Sequence, residues 1–222
     1  MNPNLSARAL NLWEDLCGRL NAVGDYLPGF VLRLVLGLEF YFAGLSKLRG
    51  ENWFSSVQEQ FPFPFDVFPV GLSWTMATWF ELIGGLLLVF GLGTRFIAFG
   101  LLVLTFVATA AVHWPAEWNS LSELFAGYVV IAKGQGNFQL PLLFAVMLLP
   151  LLFSGPGKLS LDYLIGLPLG ADPAPRALAD WGAWGLAALL LAIPFLLLIP
   201  ALGACLLVVG VALVGFQRWV VG

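Results

Sequence analysis

The sequence predicts an all-α, polytopic transmembrane helical bundle, with a four-helix core followed by a C-terminal helical hairpin. Three observations carry that reading. Only 10% of the 222 residues are charged, against about 25% in a soluble domain, too few to cover a water-facing surface. Mean hydropathy is +0.91. The apolar residues come in continuous blocks, as membrane helices require, rather than in the alternation of a β-barrel. The formal net charge of -3 is thinly spread and no basic run is present, so nucleic acid is not an expected partner.

Residues 1–26 carry no basic start followed by a short apolar core, so no cleavable signal peptide is expected there. Leu5, Ala9, Leu12, Trp13, Leu16, Leu20 and Val23 recur at helical spacing, and Arg8, Asn11, Asp15 and Arg19 fall on the other side. This is an amphipathic helix. It lies in the membrane interface or packs on the rest of the protein.

Four apolar runs follow, at about 27–45, 73–92, 96–114 and 138–154, within a core domain of 27–165. The loop FPFPFDVFP (61–69) has too many prolines for a regular helix. In SLSELFAGYVVIA (120–132), Ser120 and Glu123 fit a capping box and predict a short helix; GQGNF (134–138) reads as a turn. A linker at 166–180 leads to the apolar block 181–217. That block is too long for one crossing, since 37 helical residues would reach about 55 Å against a hydrocarbon core of about 30 Å. Pro194 and Pro200 offer break points, and Pro200-Ala201-Leu202-Gly203 reads as the turn of a hairpin in the domain 181–222.

Positive charge sets orientation. With the N-terminus cytoplasmic, Arg8, Arg19, Arg95, Lys158, Arg176 and Arg218 lie inside, and Lys47, Arg49 and Lys133 lie outside. FAGLSKL (42–48) and FSGPGKL (153–159) look alike, a weak sign of an internal repeat of the kind carriers use.

The polar residues inside the spans are the functional candidates. On the first span Arg33, Gly37, Phe40, Gly44 and Lys47 form one stripe at spacings of four, three, four and three. On the second span Ala77, Thr78, Glu81, Gly84, Gly85 and Leu88 share a face, leaving Leu82, Leu86, Val89 and Phe90 for lipid. Glu81 therefore sits where small residues admit a neighbouring helix. An ionised group at that depth costs roughly 3 kcal/mol, so Glu81 needs a partner or must be neutral, and Arg33 and Lys47, which bracket its level, are the expected partners. Two readings stand side by side: an ion pair that fixes helix register, or a functional polar pocket. Glu39 points about 120° from the stripe and should face another neighbour.

His113 is the one histidine, set in HWPAEW (113–118) at the level of an aromatic belt. A hydrogen-bonding role is the ordinary expectation; metal ligation would need Glu39, Glu81 or Met76 beside it. Cys17 and Cys205 form no CxxC pair and read as small packing residues.

RLVLGLEFYFAGLSKL (33–48), ELIGG (81–85), GLGTR (91–95) and SGPGKLSLD (154–162) together resemble the DoxX family, and HWPAEW with the loop after it resembles the HvfX type that accompanies copper-binding modified peptides. The resemblance implies a bacterial inner-membrane protein with a DoxX-like four-helix core. It places Arg33, Gly44, Lys47, Glu81, Gly85 and Arg95 at motif positions. The expected binding pocket is Arg33, Glu39, Lys47, Glu81 and His113, close-packed through Gly37, Gly44, Gly84 and Gly85. The first expectation is a non-catalytic accessory component of a copper-peptide or metal/redox-stress system, meeting a protein or peptide partner on its outer face. The alternatives are the membrane subunit of a quinone-linked oxidoreductase, and a small-solute carrier. Copper and quinone are accordingly the two ligands in view.

Overall fold

The protein is all-helical in its described residues, which in this computed structural model are 3–115, 117–126, 128, 136–171 and 179–221. In order these form α1 (Pro3–Gly24), α2 (Leu27–Arg49), α3 (Val70–Phe90), α4 (Thr94–Ala108), α5 (Leu121–Ala126), α6 (Gln139–Phe153), α7 (Leu161–Gly166), α8 (Trp181–Leu198) and α9 (Pro200–Phe216). Among the described residues, five helical stretches are long and apolar enough to cross a bilayer: Leu10–Arg49, Val70–Phe90, Thr94–His113, Trp181–Leu198 and Pro200–Val221. The first joins most of α1 to α2 across a turn at Asp25 and Tyr26. The 15 residues of α6 reach only about 22 Å, short of a hydrocarbon core of about 30 Å.

Packing follows the smallest residues. In lipid, helices gain nothing from burying apolar surface against one another, so close van der Waals contact holds them together. α3 uses its two adjacent glycines for two different neighbours. A Cβ on Gly85 would lie 2.6 Å from the Gly37 carbonyl oxygen and the Tyr41 amide nitrogen of α2. One on Gly84 would meet Ile97 and Leu101 of α4 at an ordinary 3.5 Å. α3 is thus sandwiched between two helices, and this corrects the expected lipid face. Leu82 is buried against Gly44, and Val89 is half-buried over Gly37, whereas Leu86 and Phe90 do face outward.

α4 occupies the centre. Leu101 and Leu102 are fully enclosed with Leu148 and Leu151 of α6, Leu36 of α2 and Leu88 of α3. α8 joins on the far side, where Phe106 meets Phe195 edge-on at 5.1 Å. The chain beyond α7 departs from expectation in one detail. The break between α8 and α9 falls at Ile199, and Ala201, Leu202 and Gly203 are already helical. A residue before proline is pushed toward extended backbone, and proline at N1 gives up only an amide that has no helical partner. Pro194 lies inside α8, which runs on past it to Leu198.

FPFPFDVFP is non-helical, as its prolines predict. Ser120 accepts from the Glu123 amide at 3.2 Å while Glu123 accepts from the Asn119 amide at 2.8 Å, starting α5. Apart from Tyr128, the remainder of that predicted segment, with Lys133, and the Gly134-Gln135 start of the predicted turn lie outside the described residues. So do residues 172–178 of the 166–180 linker, Arg176 among them; its first residue, Gly166, ends α7, and a 3-10 turn at Leu167–Leu169 follows. α1 leaves Leu12, Leu16 and Leu20 uncovered. Cys205 is exposed on α9, so it is not the packing residue expected; Cys17 is half-buried.

Candidate functional site

Two antiparallel helices bring the site together. Every Cα–Cβ bond leans toward its own helix N-terminus. Lys47 therefore leans down α2 toward Gly44, and Glu81 leans up α3 toward Lys47. They meet: the Lys47 Nζ donates to Glu81 Oε1 at 2.9 Å and Oε2 at 2.6 Å. The two side chains are 18% and 10% exposed, so the pair is sealed by the bundle rather than dissolved in water. Gly44 makes room for it, since a Cβ there would meet the Leu82 amide nitrogen at 2.7 Å and the Thr78 carbonyl oxygen at 2.9 Å. Thr78, also buried, satisfies its hydroxyl on the Trp74 carbonyl at 2.7 Å. Of the two cations that bracket Glu81 in the sequence, Lys47 is its partner.

Arg33 does something else. It is fully enclosed and spends its guanidinium on main-chain carbonyls: Val89 at 2.9 Å, Leu88 at 3.3 Å, Pro156 at 3.1 Å, and Leu159. The first two lie in the last turn of α3, where Leu88 also accepts from the Gly91 amide at 3.0 Å, so a cation here completes the helix end. The chain turns at Gly91 with φ +68°, and a Cβ there would land on the Arg33 guanidinium. Asp162 answers at the start of α4, accepting from the amides of Gly93 at 2.7 Å and Thr94 at 2.8 Å. Arg95 donates to the carbonyls of Leu152 at 2.6 Å and Phe153 at 2.8 Å, which end α6. GLGTR and SGPGKLSLD therefore form one clamp that ties three helix ends together. Asp162 and the N-cap Ser160, which accepts from the Tyr163 amide, carry roles that were not singled out from the sequence. The signal was available: serine just before an acidic, apolar run is an N-terminal cap pattern.

The remaining expected pocket residues are not gathered there. Glu39 is exposed on the outward side of α2. His113 ends a π-helical turn, Thr109–His113, and its ring lies beside the backbone of Asn137 while its carbonyl accepts from the Gly136 amide at 2.8 Å. Met76 is 52% exposed. Among the described residues no three of the His, Cys, Asp and Glu side chains come close enough to hold a metal ion. FAGLSKL is helical, whereas FSGPGKL is a turn with Gly155 and Gly157 at φ +90° and +76°, so the two stretches differ in backbone.

The helices and the sealed pair define a multi-span helical membrane protein with a buried intramembrane carboxylate in a salt bridge. Residues 29–114, from the start of α2 through the end of the π-helical turn, match the DoxX family. It is 40% identical to a protein of Haemophilus influenzae over 147 residues, which are 66% of this chain and 89% of the other. That relative is described as an uncharacterized protein. No solved structure matches the chain.

Proposed function

We propose that the protein is a non-catalytic, DoxX-type component of a bacterial inner membrane, docking a protein or peptide partner on its outer face within a copper-peptide or metal-stress system. Its N-terminus is cytoplasmic, and α2, α3, α4 and α6 form the four-helix core to which the α8–α9 hairpin is added. α6 is the short crossing, accommodated by local thinning of the bilayer. α1 lies in the interface as an amphipathic anchor. Lys47 and Glu81 are the polar site beneath the docking face.

The observation that carries this reading is a structured aromatic cap over the Lys47 end of α2 and α3. Phe54 meets Phe61 at 5.1 Å and Trp74 at 5.0 Å. On the same loop Phe63 is 76% exposed, and on α5, in the second outer loop, Phe125 is 60% exposed, so apolar side chains are presented on this face. The copper assignment rests on the HWPAEW resemblance, and the non-catalytic character on a sequence with two separate cysteines and no haem, flavin or nucleotide motif.

Copper tolerance of a deletion strain is the test. Restored growth with the wild type, but not with Phe63→Asp or Phe125→Asp at normal protein levels, supports the docking face. Unchanged growth of Glu81→Gln under copper stress removes the ion pair from metal handling. Stoichiometric quinone in the purified protein, lost in Glu81→Gln, replaces this reading with the oxidoreductase one.

A further inference from the structure

α2 carries a second stripe with the same rhythm as the buried one. Val35, Glu39, Phe42, Ser46 and Arg49 also recur at spacings of four, three, four and three, displaced by two residues. Two residues turn the helix by about 200°, so this stripe lies opposite the α3 contact. All five side chains are exposed.

Glu39 is the anomaly on it. At 1.5 Å per residue the carboxylate sits about 18 Å from the Leu27 end and about 15 Å from the Arg49 end of α2, near mid-depth of the span. Among the described residues it has no hydrogen bond and no ion pair. An ionisable group inside a membrane faces a protein interior or a water-filled path as a rule, because lipid offers it no partner. We propose that this stripe is the seam of a homodimer, in which Glu39 of one copy meets Glu39 of a second.

Two features select a second copy as the occupant. Copies of one chain insert with one orientation, so a twofold axis normal to the membrane sets α2 beside α2, parallel and in register. The alternating spacing of four and three suits a left-handed pair of helices in either direction, as where α2 packs on antiparallel α3, and common insertion makes this pair parallel. A carboxyl group is also complementary to itself: one proton shared between two carboxyls gives each a hydrogen bond. The exposed cations that have been placed, Arg8, Arg19, Arg49 and Arg218, lie at span ends or on α1, so none is at the depth of Glu39. Higher on the same face an open cleft lined by Phe42, Leu45, Ser46, Arg49 and Gly50 offers a concave surface for the facing helix.

The experiment uses the full chain in native membranes, with Cys17→Ser and Cys205→Ala as background. Single cysteines are placed at Phe42 and Ser46 on the seam, and at Val208 on the outward side of α9, which is 68% exposed. Oxidation should link the first two into dimers of this chain and leave Val208→Cys monomeric. Adding Glu39→Leu should weaken association about tenfold, the scale of one polar contact between membrane helices. Glu39→Gln should keep it, since a carboxamide is self-complementary too. Thermal unfolding of each variant confirms that the Lys47–Glu81 bundle survives. Equal linking at Val208, a dimer indifferent to Glu39→Leu, or no dimer at any protein-to-lipid ratio overturns the proposal. A crosslink from Ser46→Cys to a protein of different mass assigns the face to another partner and overturns it equally.

Discussion

Lys47 clasps both oxygens of Glu81, at 2.6 and 2.9 Å, from the neighbouring antiparallel helix. Removing charge from water is costly, and each of these groups alone would leave the other uncompensated in the bundle. Held together, they make the register of α2 against α3 unique, because a slip of one turn would part them by about 5 Å.

That register depends on contact between backbones, and the paired glycines of α3 make it testable. Gly85→Ala forces a Cβ against the α2 main chain, which cannot yield as a side-chain tip does. It should destabilise by about 1–3 kcal/mol. Gly84→Ala meets only the side chains of Ile97 and Leu101 at 3.5 Å, and alanine favours helix by about 1 kcal/mol over glycine. It should be neutral or stabilising. Unfolding in detergent reads both, and equal effects would mean that α2 and α3 are not in such close contact.

The clamp at the Arg33 end makes a second prediction. Arg33→Lys keeps the charge but cannot reach carbonyls at the α3 end and in the α6–α7 turn at once with a planar fork. It should cost about 3 kcal/mol, since buried carbonyls lose their donors. Asp162→Ala removes two bonds to the α4 N-terminus and should cost about 1–2 kcal/mol. Limited proteolysis of the α3–α4 and α6–α7 turns should rise in both. An Arg33→Lys protein as stable as the wild type would show that the guanidinium is not holding those helix ends.

Much of this architecture could be read from residue order. Spacing alone placed Arg33, Gly44 and Lys47 on one face of α2 and put Glu81 toward it, because helical periodicity fixes which side chains share a side. Periodicity does not say how many neighbours a helix has, so Leu82 and Val89 were assigned to lipid although α3 is flanked on both sides. Nor could it distinguish Lys47 from Arg33 as the partner of Glu81. That choice depends on the turn at Gly91 and on carbonyls of Pro156 and Leu159, which are far along the chain. Glu39 and His113 were grouped with Glu81 by depth, which carries no information about azimuth, although helical spacing already turned Glu39 about 120° from the stripe.

Outside the spans, pH enters through Lys158. Its ammonium donates to Asp25 Oδ2 at 2.9 Å, and that bond raises its pKa above the ordinary lysine value. A raised cationic pKa stabilises the fold fully below the unfolded value of about 10.4, and the contribution is lost as pH rises through the folded value. The melting temperature should therefore fall on the alkaline side, and Asp25→Asn should flatten that fall. An alkaline limb unchanged in Asp25→Asn would mean that the tie between the α1–α2 turn and the α6–α7 turn does not contribute.

The most direct measurement is a double-mutant cycle on Lys47 and Glu81, read as unfolding free energy in lipid bicelles. Lys47→Met and Glu81→Leu should each cost about 3 kcal/mol, because each strands a buried charge. The double variant should recover more than half of the summed loss, giving a coupling well above the few tenths of a kcal/mol expected of independent sites. Simple additivity of the two losses would contradict the account, since it would mean that neither residue depends on the other for its place in the bundle.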